Sequence, residues 1–133
     1  MSGTARLFCY YSYRNASRAI DWLIQAFGFE RVRQQDGVDG TVLHAELRLG
    51  DVVMMVASAD ADYIMSPLVG RSTGHGAYLL VDDVEAIYAR SLASGATSVI
   101  APEMTEWGTS RCRVLDPEGY EWSFGTYEPG ASW

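Results

Sequence analysis

The chain has 133 residues, enough for one domain to bury about two-thirds of its unfolded surface in a single core without disulfides. Its 48% hydrophobic and 20% charged residues are typical of globular proteins. A net charge of −7, with no clustered lysines or arginines, argues against nucleic acid or an anionic membrane as a partner. The longest apolar run, residues 52–57, is too short to span a membrane, and the N-terminal residues lead into no apolar signal region. We therefore expect a cytoplasmic protein.

The first half of the chain predicts a β-α-β-β-β unit. Asn15 can cap a helix that starts at Ala16, because the apolar residues that follow recur at i, i+3, i+4 and i+7. Gly28 suits the left-handed conformation that ends such a helix. The strands of this unit are predicted at residues 6–13, which we expect to be buried, and at residues 29–34, 41–49 and 52–57.

The strand over residues 41–49 alternates between apolar and polar side chains, the period of a strand with one packed face. We expect the apolar side chains to face the helix and the polar ones to face the opposite, open side of the sheet. The apolar set is Leu43, Ala45, Leu47 and Leu49, and the polar set is His44, Glu46 and Arg48.

The second half repeats this order after a connector at residues 59–74, which shows no sustained period and could act as a lid. An offset of about 68 residues superposes the halves, so the chain is a tandem repeat with units at about residues 5–58 and 75–128. Its elements are a strand at residues 76–81, a helix capped by Asp82 or Asp83 with a buried stripe of Val84, Ile87, Tyr88 and Leu92, a strand at residues 97–101, a loop at 102–108 and a strand at 109–115.

Residues 116–127 predict a turn followed by the closing strand of the second unit. Asp116 and the proline after it open the turn, and Gly119 can take the positive φ that ends it. Trp122 and Phe124 then alternate with smaller or polar residues, so one face of the strand is expected to be packed and the other open.

The two cysteines, Cys9 and Cys112, fall within predicted strands, where a small buried thiol is the usual role. Motifs for a phosphate-binding loop, a serine nucleophile elbow, a redox cysteine pair and a zinc-binding helix are absent from the sequence. The repeat is therefore the most informative feature for function.

This repeat, with residues 13–29 in the first unit and residues 81–84 and 116–119 in the second, resembles the glyoxalase/bleomycin-resistance/dioxygenase group, the vicinal oxygen chelate superfamily. Residues 44–50 and Trp107 with Gly108 are also similar to its PhnB-like members. The resemblance implies an α+β fold: one glyoxalase-like domain over residues 1–133, in which tandem βαβββ units form curved mixed sheets that enclose a cleft, with the helices outside. The superfamily includes lyases, isomerases, dioxygenases, thiol transferases and drug-sequestering proteins.

In the enzymes of this superfamily, divalent metal ligands occupy up to four equivalent positions on the first and last strands of each unit. None of the corresponding residues here offers the imidazole, carboxylate or thiolate that such ions require, so we expect neither a metal nor another cofactor. Counted from the helix caps and the tight turns, the resemblance places these positions at Phe8, Met54, Gly76 and Ser123.

A register slip would change this expectation, because shifting a strand by one residue exchanges its faces. His75 would then reach the cleft, and Glu121 could join it after a shift of two residues. The alternative is that His75 is an exposed residue just before the strand.

His44 and Glu46 form a candidate catalytic pair. Two residues of strand rise place them roughly 6.5 to 7 Å apart at Cα on one face, close enough for a hydrogen bond that orients the imidazole. Such a pair can act as a proton acceptor and its orienting group. The alternatives are a solvated sheet face or a polar structural pair near a dimer seam.

A second set of residues suggests binding of a planar or anionic small molecule. Arg111 and Arg113 share the open face if Cys112 and Val114 pack against the helix. Arginine forks and aromatic faces suit such a ligand, although many aromatic residues simply form core. The candidate ligand-binding residues are Tyr10, Arg48, Tyr78, Trp107, Arg111, Arg113 and Ser123.

Three functions are compatible with these features. The first is a metal-independent protein that binds a drug or metabolite, and the second is a lyase, isomerase or dioxygenase that uses a metal or His44 as base. The third is a structural or regulatory dimer without a ligand. The superfamily commonly dimerises, so we expect a homodimer with residues 29–34 and 97–101 as plausible seams, in a swapped or an unswapped arrangement.

Overall fold

The computed structural model describes residues 5–60 and 75–130. The chain divides into two compact units, with the boundary after residue 62. Because the description stops at residue 60 and resumes at residue 75, most of the predicted connector at residues 59–74 lies outside the described residues. Within residues 5–60 and 75–130, no helix has both the length and the apolar character needed to cross a membrane.

Each unit consists of a four-stranded mixed sheet and one helix. In the first unit the strand order is β1-β4-β3-β2 and in the second it is β5-β8-β7-β6. The β1–β4 and β5–β8 pairs are parallel and the other pairs are antiparallel. The α+β βαβββ fold is therefore confirmed. The elements are β1 (Tyr10–Tyr13), α1 (Ala16–Phe27), β2 (Glu30–Asp36), β3 (Val42–Leu49), β4 (Val52–Ser58), β5 (Ala77–Leu80), α2 (Val84–Ala93), β6 (Thr97–Met104), β7 (Ser110–Leu115) and β8 (Glu121–Gly125).

Helix α1 begins and ends where the sequence predicts. Asn15 Oδ1 accepts a hydrogen bond from the backbone N–H of Arg18 at 3.2 Å, which satisfies one of the free donors at the helix start. Gly28 has φ 86°, and its N–H donates to the carbonyl of Ile24. The apolar stripe of α1 packs on β1 and β4 and forms the core of the first unit.

Helix α2 is capped by Asp83, whose Oδ1 accepts from the N–H of Ala86 at 3.0 Å. The buried stripe predicted for α2 is wrong at its last residue, Leu92, which is exposed. Ser91 is fully buried instead. Residues 84 and 91 are two helical turns apart and so face the sheet together, whereas Leu92 lies about 100° further round the helix. The Ser91 hydroxyl is satisfied in the core by the carbonyl of Ile87 at 2.6 Å.

The predicted face of β3 is correct at Ala45 and Leu47, which are fully buried, but wrong at Leu43, which is 60% exposed. In the pairing of β2 with β3, Gln35 lies opposite His44 and Asp36 lies opposite Val42. Leu43 is therefore the extra residue of a β-bulge. A bulge re-aims the side chains on one side of it, and Val42 takes the buried position instead.

Strand β1 is shorter and more exposed than predicted. It begins at Tyr10, and of its four residues only Tyr13 is buried. As an edge strand of the first sheet, β1 is covered on one edge only, by β4. The expectation of a buried thiol is correspondingly wrong for Cys9, which is exposed and precedes β1, but it is confirmed for Cys112 in β7.

Strand β6 continues through Met104, so the loop predicted to begin at residue 102 starts later. Pro102 is tolerated because β6 is the edge strand of its sheet, where a missing N–H costs no ladder hydrogen bond. The pairing with β7 shifts in register between Ile100 and Glu103 to accommodate this segment.

The turn before β8 forms as predicted. Gly119 has φ 90°, and its N–H donates to the carbonyl of Asp116 at 2.9 Å. Trp122 and Phe124 are then buried on one face of β8. Ser123 consequently lies on the opposite face, which we call the open face of the second sheet.

Candidate functional site

The open face of the second sheet carries a row of four side chains from four different strands. Strand pairing places Tyr78 of β5 beside Ser123 of β8, Ser123 beside Arg113 of β7, and Arg113 beside Ile100 of β6. Residues paired in this way project to the same face of a sheet. The row therefore presents an aromatic ring, a hydroxyl, a guanidinium and an aliphatic side chain.

Arg113 is held by Ser123. Its Nε–H donates to the Ser123 Oγ at 3.0 Å in a half-buried position. Among the described residues, no carboxylate lies within 4 Å of the Arg113 guanidinium. The terminal N–H groups of Arg113 are therefore not neutralised by a carboxylate in the described part of the chain.

Arg111, two residues earlier on the same face, is in a different electrostatic state. Its Nε donates to Glu103 Oε2 at 2.8 Å, and its Nη2 lies 2.6 Å from the same oxygen. Glu103 was not among the predicted site residues, because the sequence placed it in a loop and not opposite Arg111 in β6. The two predicted arginines therefore differ in whether a partner carboxylate compensates their charge.

Tyr78 lies over Gly125. A methyl group at residue 125 would come within 2.9 Å of Tyr78 Cε1, so the ring occupies the space that a side chain would fill. The phenol Oη donates to the carbonyl of Tyr127 at 2.6 Å. Partial burial raises the pKa of the Tyr78 hydroxyl above its usual value, so the ring stays neutral at physiological pH.

His44 and Glu46 lie on the face of β3 opposite the buried Ala45 and Leu47, which we call the open face of the first sheet. There His44 Nε2 and Glu46 Oε2 lie 2.8 Å apart. Arg33 of β2, which the sequence did not single out, approaches the other oxygen of Glu46 at 3.4 Å. The hydrogen bond with His44, and then the positive charge of Arg33, hold the pKa of Glu46 below its usual value despite partial burial. The carboxylate thus stays ionised between two basic side chains.

The other predicted residues are spread over separate places. Tyr10 pairs with Met55, beside Glu46, and is 70% exposed. Arg48 is exposed at the far end of β3, opposite Glu30. Trp107 lies in the turn between β6 and β7, 74% exposed, and not in the row that contains Arg113.

Glu103 also lines a cavity of about 270 Å³ where α2 begins. Within the described part of the chain, the charged side chains that line it are all acidic: Asp82, Asp83, Glu85 and Glu103. Of these, Glu103 is paired with Arg111.

One protein-family model matches most of the chain. The model of the Glyoxalase/Bleomycin resistance protein/Dioxygenase superfamily matches residues 9–124. The chain belongs to this superfamily. The PhnB-like subgroup is not distinguished by this match.

Curated proteins and solved structures are also similar to most of the chain. An uncharacterized protein of Mycobacterium bovis is 35% identical over 115 residues, which is 84% of this chain and 76% of the relative. The crystal structure of TioX from Micromonospora sp. ML1 matches with a TM-score of 0.75 and 31% identity, covering 93% of this chain and 99% of TioX. A family enzyme from Burkholderia phytofirmans PsJN, with a TM-score of 0.63 and 18% identity over 89% of this chain and 94% of its own, shows the shared fold.

The superfamily's metal positions need one correction. Met54, predicted on the open face, is buried on the helix side, and Met55 is the residue that pairs with Tyr10 and Glu46. The turn before β4 contains two residues and the turn before β8 contains five, so equal counting from the two turns shifts the face by one residue. Met55 is therefore the equivalent of Ser123.

The residues at these positions do not fit a divalent metal. At these positions Phe8 and Gly76 offer no side-chain ligand atom, and Met55 and Ser123 offer thioether and hydroxyl groups, which are poor ligands for such ions. His75 is exposed and lies before β5, as the alternative interpretation expected. Among the described residues, no three His, Cys, Asp or Glu side chains are grouped closely enough to hold a metal ion.

Proposed function

We propose that this superfamily member is a metal-independent protein that binds a small molecule, a drug or a metabolite, on the open faces of its sheets. The observation that carries the proposal is the row of Tyr78, Ser123, Arg113 and Ile100 across the second sheet. Binding sites for small molecules combine apolar and aromatic surface with a few well-placed polar groups. This row has that composition.

The superfamily's metal positions support the metal-independent part of the proposal. Ser123 donates or accepts hydrogen bonds through a hydroxyl and is already engaged with Arg113. Met55 offers only a thioether. Hydroxyl and thioether groups can contact an organic ligand but are not the donors that zinc or iron selects.

On the first sheet, we propose that Tyr10 and Arg48 take part in binding, on the same face as His44 and Glu46. Tyr10 is exposed enough to stack on a planar group. Trp107 is proposed as a rim residue, because a large exposed indole suits contact with a ligand at the edge of a site. Assignment to the PhnB-like subgroup, a cytoplasmic location and a homodimer are part of the same proposal.

Thermal unfolding in the presence of a compound panel tests the proposal. The panel should contain anionic, neutral and cationic planar molecules, each with and without a chelator. A ligand present at 100 times its Kd stabilises the folded state by about 2.7 kcal/mol, which is a measurable rise in Tm. We expect at least one compound to raise Tm equally in both conditions. No shift for any compound, or a shift that the chelator abolishes, would contradict the proposal.

A second function, metal-free acid–base catalysis, is favoured by the 2.8 Å contact between His44 and Glu46. An imidazole oriented by a carboxylate can accept a proton from a bound substrate. If this function holds, His44→Ala abolishes turnover of an identified substrate while its Kd changes little. Equal turnover in the variant and the wild type would exclude His44 as the base.

A further inference from the structure

We propose that Arg113, and not Arg111, is the residue of the open face that recognises an anion, and that the ligand is a planar aromatic molecule bearing a carboxylate. This inference rests on the proposed binding function and specifies its ligand class. It depends on a difference between two arginines that the sequence treats as equivalent.

Arg111 and Arg113 are two residues apart in β7, so their guanidinium groups lie on the same face of the strand. Arg111 shares one oxygen of Glu103 between its Nε and Nη2, so its charge is compensated within the sheet. Arg113 makes a neutral hydrogen bond to Ser123, and no described carboxylate lies within 4 Å of it. In a chain with a net charge of −7, a half-buried arginine without such a partner is a distinctive positive site.

The bond to Ser123 also orients Arg113. An arginine has five N–H donors in a fixed planar fork, and the bond from Nε uses one of them. The outer edge formed by the two terminal nitrogens remains, and this edge can bind both oxygens of a carboxylate in a bidentate manner. Fixing the guanidinium before binding reduces the entropy that binding must overcome.

Tyr78 supplies the aromatic part of the site. Its ring is positioned by Gly125 beneath it and by the hydrogen bond to the Tyr127 carbonyl. Two strand spacings, roughly 10 Å, separate the backbone positions of residues 78 and 113. An aromatic ring system with an attached carboxylate spans this interval, with its ring against Tyr78 and its carboxylate on the outer edge of the Arg113 guanidinium. Ile100 bounds the row on the other side of Arg113.

Glu121 lies on β8 two residues before Ser123, and so on the same face of the strand. Its carboxylate lies more than 4 Å from the Arg113 guanidinium. Its negative charge opposes an approaching anion. Removing this charge tests whether binding responds to local electrostatics, since Glu121→Gln should strengthen anion binding without adding a contact.

Isothermal titration calorimetry with 1-naphthoate and its neutral analogue 1-naphthamide tests the inference directly. We expect the wild type to bind the carboxylate more tightly than the amide. Arg113→Gln should weaken naphthoate binding about tenfold or more and leave naphthamide binding unchanged, because a charge-assisted bidentate bond is lost. The matched control Arg111→Gln should change naphthoate affinity by less than about threefold, the limit expected for a compensated surface charge.

The outcomes separate the inference from the proposed function. Equal loss in Arg111→Gln and Arg113→Gln, or equal affinity of the wild type for the carboxylate and the amide, overturns the inference while a binding function stands. Binding only of cationic or uncharged members of the panel does the same. If no compound binds, both fail. Circular dichroism and unchanged melting of each variant without ligand establish that the variants are folded.

Discussion

The carboxylate of Asp116 accepts a hydrogen bond from the indole Nε1–H of Trp122 at 3.0 Å, in the core of the second unit. The other oxygen of Asp116 accepts from the backbone N–H groups of Glu118 and Tyr120 at 3.0 and 3.1 Å. One buried side chain therefore holds the turn and the strand that follows it. This fixes the start of β8, and with it the face on which Ser123 lies.

Asp116→Asn should destabilise the protein by about 2 to 4 kcal/mol, because an amide N–H₂ would then face either the indole N–H or two backbone N–H groups. Urea unfolding measures this loss. Trp122→Phe removes the indole donor, so in that background Asp116→Asn should cost about 1 to 2 kcal/mol less. Strict additivity of the two substitutions would mean that the Asp116–Trp122 bond does not stabilise the fold.

Gly125→Ala should displace the ring of Tyr78, since the new methyl group would occupy space already filled by that ring. We expect a loss of about 1 to 3 kcal/mol in the free energy of unfolding, as for other overpacked sites. In a Tyr78→Ala background the same change should be neutral or stabilise by up to about 1 kcal/mol, because alanine restricts the unfolded chain. A similar cost in both backgrounds would place the strain somewhere other than Tyr78.

The two cysteines should react very differently with a thiol reagent. Cys9 is exposed, whereas Cys112 is buried, and burial raises the pKa of the Cys112 thiol to about 11. The thiolate is the reactive form, so at about pH 8 we expect rapid labelling of Cys9 alone and labelling of both after denaturation. Cys9→Ser should abolish the rapid phase. Rapid labelling of Cys112 in that folded variant would contradict its burial.

Glu46 predicts a specific pH dependence. Its pKa is lower in the folded state than the usual 4.5, chiefly because of the hydrogen bond with His44. Its contribution to stability is therefore present above about pH 4.5 and is lost as the pH falls through the folded-state pKa. Glu46→Gln should lower the urea midpoint near pH 7, and the difference from wild type should shrink as the pH falls below about 4.5. A difference that is constant with pH would mean that the ionised carboxylate plays no part.

Arg33 offers a matched test of the same group. Because Arg33 is the second basic neighbour of Glu46, Arg33→Gln should raise the pKa of Glu46 in the folded protein. NMR titration of the Glu46 carboxyl carbon measures this change. Arg31→Gln is the control, since Arg31 pairs with Asp21 and not with Glu46. An equal shift in both variants would indicate a general charge effect.

Sequence alone determined the repeat, the helices and the tight turns, because these depend on interactions between residues close together in the chain. Asn15 and Asp83 cap helices through side-chain bonds to residues three positions away, and Gly28 and Gly119 take the positive φ that their turns require. Such local features are visible in the order of residues. The alternation of Trp122 and Phe124 with smaller neighbours likewise identified the packed face of β8.

Only the tertiary structure decided which side chains meet across strands. Leu43 is exposed because a bulge in β3 interrupts the alternation, and Met55 instead of Met54 is the equivalent of Ser123 because the turns differ in length. Glu103 neutralises Arg111 but not Arg113, although both arginines alternate identically along β7. Register between strands depends on residues far apart in the chain, and a change of one residue reverses a face. The physical difference between the two arginines, on which the proposed ligand class depends, is therefore a property of strand pairing.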